Sequence, residues 1–226
     1  MKQWLKEHKH MWICSYVFIY LTWFFLLEQR DNVAMRPIHI WLDDYIPFNE
    51  WFLIPYLLWF LYMAATVVYF LFTSKKDYYR ECAFLFIGMS ICLIIYMIWP
   101  NCQNLRVTEF PRENILTKGV QFIYALDTAT NVCPSIHVYN SIGVHIAVSH
   151  SETLGKNKWI RLGSFLLMIS ICLSTVFLKQ HSAFDGICAL PLAFIMYVLV
   201  YKVDYSKFVQ RIKEKRQYSY DKKIRE

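Results

Sequence analysis

The stretch LGSFLLMISICLSTVFLKQHSAFDGICALPLAFIMYVLVY, residues 162–201, reads as two membrane-spanning helices meeting at a short polar turn. Leu162–Leu178 and Ser182–Tyr201 each have about the length that crosses a hydrocarbon core. Lys179, Gln180 and His181 stand at the turn, and Asp185 follows at the start of the second run. His181 and Asp185 are four apart, so within a helix they share one face. A carboxylate so placed takes the proton on one imidazole nitrogen and leaves the other free to attack or to accept a proton. Ionisable residues at the edge of a span are costly to keep there, which marks them as functional candidates. The plainer alternative is an interfacial His and Asp satisfied by water.

Working outward, further apolar runs occur at Met11–Leu27, Phe52–Phe72, Cys82–Trp99 and Pro134–Ser149. Apolar residues make up 57% of the 226 and aromatics 18%, which is membrane composition. The expected fold is all-α: a polytopic membrane bundle of six transmembrane helices over residues 1–201, then a basic tail, 202–226. Met11–Leu27 is followed by Glu28-Gln29-Arg30-Asp31 and no small-residue cleavage site, so it reads as a retained helix. Ser74–Arg80 is expected as a polar turn and Glu28–Trp51 as a polar loop. Asn101–Val132 is the longest loop, and the apolar spacing in Val120–Ala125 predicts a segment folded down on the bundle. Asp43-Asp44 reads as a solvated acidic pair or part of a metal site.

The formal charge of +7 does not point to nucleic acid, since no basic stripe is interleaved with aromatics and the tail carries much of the excess. Eighteen of the 24 Lys and Arg residues lie in the amino terminus, the second and fourth loops and the tail. Both termini are therefore expected in the cytoplasm. That topology puts Arg106, His137, Lys179, His181 and Asp185 together on the outer side. The seven cysteines show no zinc spacing and read as small buried hydrophobes. Cys102 and Cys133 share a segment on the expected outer side and form a candidate disulfide pair.

A second motif, Cys133-Pro134-Ser135-Ile136-His137, opens the fourth run. A third is Ser174-Thr175 followed by His181 and Asp185, and Arg106 closes Trp99-Pro100-Asn101-Cys102-Gln103-Asn104-Leu105-Arg106. Together they resemble the type 2 phosphatidic acid phosphatase (PAP2) superfamily, with its K-x6-R-P, P-S-G-H and S-R-x5-H-x3-D signatures. The match covers roughly residues 45–200 and looks closest to the inositol-phosphorylceramide-synthase-like branch. Ile136 replaces the second signature's Gly, Thr175 the third signature's Arg, and in the first Trp99 and Val107 stand for Lys and Pro. Arg36-Pro37 is a competing Arg-Pro dipeptide, less well placed.

Phosphoryl transfer needs cations around the equatorial oxygens, an in-line nucleophile and a proton for the leaving oxygen. His181 is the expected nucleophile, giving a phosphohistidine, and Asp185 fixes its tautomer. His137 is expected to protonate the leaving alkoxide and then activate the acceptor. Arg106 is expected to clamp phosphate oxygens, and Ser135 to mark a helix amino terminus that favours an anion. Lys179 either restores the charge that Thr175 lacks, one helical turn on, or snorkels to the interface. His145, two turns beyond His137, reads as a hydrogen-bonded interior residue or one that tunes the site. These roles match what the resemblance implies, and they call for no cofactor or metal.

The expectation is a multi-pass integral enzyme, in the plasma membrane with an extracytoplasmic site. It would hydrolyse a lipid phosphomonoester or pyrophosphate drawn from the surrounding bilayer. Transfer of the phosphoryl group to an alcohol shares the same first half-reaction. A transporter, or a scaffold without activity, is the reading from another class.

Overall fold

The computed structural model describes residues 9–30, 33–206, 210 and 214. The first eight residues and most of the expected basic tail lie outside them. A 3₁₀ segment, Lys9–Ser15, runs into α1, Tyr16–Glu28. After β1, Arg36–Pro37, and the short α2, Trp41–Tyr45, a 3₁₀ turn at Glu50–Phe52 leads into α3, Leu53–Thr73. Asn49 caps that turn by accepting from the Trp51 N–H at 3.0 Å, and Pro55 sits in the first turn of α3, where its missing N–H breaks no ladder. The chain continues through α4, Lys75–Ile98, β2, Asn101–Cys102, and α5, Ile115–Leu126. It ends with α6, Ile136–His150, α7, Lys158–Phe177, and α8, Ala183–Tyr197, which runs on as a π-helical turn, Val198–Lys202.

Among the described residues, five helical stretches are long and apolar enough to cross a membrane: Lys9–Glu28, Glu50–Thr73, Lys75–Ile98, Lys158–Phe177 and Ala183–Lys202. The expected fourth span is the exception. It appears as α6, with 15 residues, roughly 22 Å against a hydrocarbon core of roughly 30 Å. α6 packs against α3, α4, α7 and α8, so its short length is sheathed by longer neighbours. Tyr139 and Val144 on α6, and Phe84, Leu93 and Ile171 on its neighbours, are all fully buried.

Two expectations about boundaries change. The polar turn predicted at Ser74–Arg80 shrinks to Ser74, because its hydroxyl caps the Asp77 N–H at 3.2 Å and α4 begins at once. The long loop is partly helical: Asn114 caps α5 through Leu116 N and Thr117 N at 2.9 and 3.0 Å. As the apolar spacing implied, α5 lies on the bundle, with Val120 packed beside Leu53, Tyr56 and Leu178. Arg36 and Pro37 pair in parallel with Asn101 and Cys102, with Arg36 exposed.

The loops sort by end. At one end His10 Nε2 donates to Leu71 O at 3.0 Å, Lys76 lies 3.6 Å from Glu152, and the Arg80 guanidinium covers the Tyr201 ring. At the other end the segments around residues 36–52, 99–135 and 178–182 meet, and all three motifs lie there.

Candidate active site

The end of α7 sets the geometry. Lys179 takes a left-handed conformation, φ 54°, so the helix stops and the chain turns back. Gln180 N donates to Thr175 O at 2.9 Å and Lys179 N to Val176 O at 3.1 Å, the pairing of a Schellman cap. His181 N adds a bond to the same Thr175 carbonyl at 3.0 Å. Thr175, which stands where the family signature has Arg, therefore acts through its backbone. Gln103, buried in the long loop, donates from Nε2 to Lys179 O at 3.0 Å and braces the turn from outside.

Past the turn, Ser182 caps α8 in a capping box with Asp185. Asp43, 139 residues away in sequence, completes the cap. Its carboxylate accepts from Ser182 Oγ at 2.6 Å and Ala183 N at 2.8 Å. Asp43 is only 3% exposed, so the solvated acidic pair expected from the sequence splits: Asp44 stays exposed and bonds His39 at 2.7 Å.

The Pro134-Ser135-Ile136-His137 segment is clamped by Asn101, whose Oδ1 accepts from Val132 N and Cys133 N at 2.8 and 2.9 Å. Tyr96 donates its hydroxyl to Pro134 O at 2.5 Å. Ser135 joins the two motifs, since its N–H donates to Asp185 O at 3.0 Å. Its hydroxyl is turned inward as the cap of α6, accepting from Val138 N, and the side chain is fully buried.

These supports place three ionisable side chains in a line. His181 Nδ1 lies 3.2 Å from Asp185 Oδ2, and His181 Nε2 lies 3.2 Å from His137 Nδ1. Asp185 Oδ2 also accepts from Ser182 N at 3.0 Å. With Asp185 ionised, and so acceptor only, Nδ1 of His181 carries the proton and Nε2 the lone pair. His137 Nδ1–H then donates to that lone pair. Tyr56 and Trp59 from α3 pack against the His137 ring, with centroids 4.9 and 4.4 Å away.

The two histidines border a cavity of about 380 Å³. Its walls are apolar on the sides of α1, α3 and α5, through Phe24, Phe60, Phe122 and Leu126, and polar near the histidines, through Asp127, Asn131 and Gln180. Burial pushes the Asp127 carboxyl above the usual carboxylate range, against the nearby His181, with Glu28 reinforcing the rise and Arg106 opposing it.

Two expected phosphate contacts are placed elsewhere. Lys179 does not continue the α7 face. Its ammonium donates to the carbonyls of Asp43 and Ile46 at 2.8 and 2.5 Å, and burial pulls its pKa below the usual lysine range, against Asp43 and Asp44. Arg106 is spent on backbone: its guanidinium donates to the carbonyls of Tyr124, Asp127 and Thr128 at 2.8–2.9 Å, and to Gln180 Oε1 at 2.6 Å. It also lies over the Tyr124 ring. His145 is held by Ser164 at 3.0 Å, as an interior hydrogen-bonded residue. Cys102 and Cys133 are free thiols rather than a disulfide, because Cys133 packs with Val132, Ile38 and Cys188.

No family model, curated protein or solved structure matches this chain. Asn101, Gln103, Asp43, Asp127 and Gln180 are the residues the motif reading missed. The clue for the first two was present, in amides set beside Pro100 in the loop that also carries Arg106.

Proposed function

We propose that the chain is a membrane enzyme that transfers the phosphoryl group of a lipid phosphate to His181 and then to water. The observation that carries this is the Asp185–His181–His137 line, with a lone pair on His181 Nε2 and a proton donor 3.2 Å from it, beside a largely apolar cavity. A nucleophile oriented by a carboxylate and paired with an acid suits a displacement at phosphorus. The apolar walls suit the hydrocarbon part of a lipid.

In the first step the hydrogen bond between the two histidines opens around the phosphoryl group, the Nε2 lone pair attacks phosphorus, the phosphorus–oxygen bond to the lipid breaks, and the leaving oxygen takes a proton from His137, which enters the step as the imidazolium and leaves it as the neutral imidazole. Asp185 stabilises the positive charge that develops on the His181 ring. In the second step His137 removes a proton from water as its oxygen attacks phosphorus. The phosphorus–nitrogen bond breaks and the electron pair returns to Nε2. The motif pattern of the PAP2 superfamily supports these roles.

In this reading α6 is a sixth, short span, both termini are cytoplasmic, and the site opens to the outer leaflet of the plasma membrane. Purified protein in detergent micelles, given a panel of lipid phosphomonoesters and pyrophosphates without added metal, is expected to release inorganic phosphate from at least one. His181→Ala is expected to release none. Absence of phosphate release across the panel, with folded protein, would count against hydrolysis.

A further inference from the structure

Arg106 cannot offer phosphate the bidentate fork expected of it while four acceptors hold both of its Nη groups and leave only Nε without a partner among the described residues. Its contact with Gln180 suggests another route. An arginine N–H can only donate, so the amide atom facing Arg106 Nη2 at 2.6 Å must be the Gln180 oxygen. That fixes Nε2 on the far side. Gln180 is 97% buried, being 3% exposed; it lines the cavity beside His181, and its Nε2 has no hydrogen-bond partner among the described residues. An orphaned buried donor is rare in a folded interior and calls for an acceptor. The backbone beneath it is fixed as well, by the Schellman cap and by Gln103 Nε2 at 3.3 Å from Gln180 O.

We propose that the Gln180 side-chain amide is the donor to a non-bridging oxygen of the phosphoryl group transferred at His181, with Arg106 as the positioning residue that orients it. The proposal rests on the phosphoryl-transfer reading above. It assigns to a neutral amide the place that a family Arg holds at position 175, where this chain has Thr. A neutral donor preset by a half-buried guanidinium needs no reorganisation as charge develops, which is the property that makes such donors effective.

The test uses orthovanadate, a phosphoryl-like oxyanion, with binding read by tryptophan fluorescence because Trp59 packs on His137. Gln180→Glu keeps an oxygen for Arg106 but replaces the amide nitrogen with an acceptor. Gln180→Met removes donor and acceptor without adding charge. Both are expected to weaken vanadate binding and kcat by about 100- to 1000-fold. Arg106→Lys is expected to weaken vanadate binding in the wild-type background and to have no further effect in Gln180→Met, since the two residues act through one contact. Vanadate affinity and kcat within twofold of wild type in either folded Gln180 variant would overturn the proposal. A further loss from Arg106→Lys in the Gln180→Met background would overturn the positioning role. A wild-type protein that neither binds vanadate nor releases phosphate would instead remove the phosphoryl-transfer reading on which the proposal stands.

Discussion

Asp127 contributes to the molecule through both backbone and carboxyl, and the two parts separate experimentally. Its carbonyl accepts from Arg106 at 2.8 Å, and Asp127→Asn leaves that bond in place. Its carboxyl is held above the ordinary carboxylate range by burial, with the nearby His181 opposing. A raised folded pKa means the carboxyl's contribution is fully present below the unfolded value, about 4, and is lost as pH rises through the folded value. Asp127→Asn is thus expected to match wild type in thermal midpoint at acid pH and to exceed it increasingly as pH rises through that window. A constant gap across the pH series would show that burial of the charge is not what distinguishes the two. His181 and Asp185 were legible in the sequence because their four-residue spacing is local, and His137 because it closes the short Pro134-Ser135-Ile136-His137 motif. Asp43 was not: its bond to Ala183 N spans 140 positions, and no periodic pattern announces such a contact. Lys179 and Arg106 were legible as cations near the motifs, but not as donors to backbone carbonyls, since that depends on where the turn at φ 54° directs the chain.

Among the elements, the crossing of α4 and α6 holds the His137 helix at its depth. A Cβ on Gly88 would stand 2.0 Å from the Tyr139 ring, and one on Gly143 would stand 2.5 Å from the Phe84 ring. Tyr139 also donates its hydroxyl to Phe84 O at 2.6 Å, so its ring has no easy retreat. Small residues let two membrane helices approach this closely. Gly88→Ala is expected to destabilise by about 1–3 kcal/mol, the cost of overpacking a filled core, read as a lower melting temperature in detergent. An unchanged melting temperature would mean the crossing is looser than these contacts require. The existence of the long apolar helices was plain from composition and run length. Their boundaries were less so. The charges of Lys75, Lys76 and Arg80 look like a turn, whereas Ser74 caps the helix and Tyr78 is buried, with its hydroxyl donating to His10 O at 3.2 Å. The shortness of α6 is explained only by the neighbours around it, which no single run of sequence encodes.

Across the whole molecule, the three motifs gather at one end of the bundle, which in the proposed orientation faces outward. Asp44 is exposed at the motif end and Lys156 at the opposite end. In a cysteine-free background, Asp44→Cys is expected to label with an impermeant maleimide on intact cells, and Lys156→Cys only after permeabilisation. The reverse pattern would place the site in the cytoplasm. The claim on which the functional account turns is that His181 becomes phosphorylated. The direct measurement is to mix the protein with a lipid phosphate carrying a radiolabelled phosphoryl group, quench in alkali within one turnover, and map the label. An acid-labile, alkali-stable label is expected on the peptide containing His181 and is absent in His181→Ala. With a substrate whose leaving group needs no proton, the label is retained in His137→Ala. Equal labelling of His181→Ala and the wild type would contradict it.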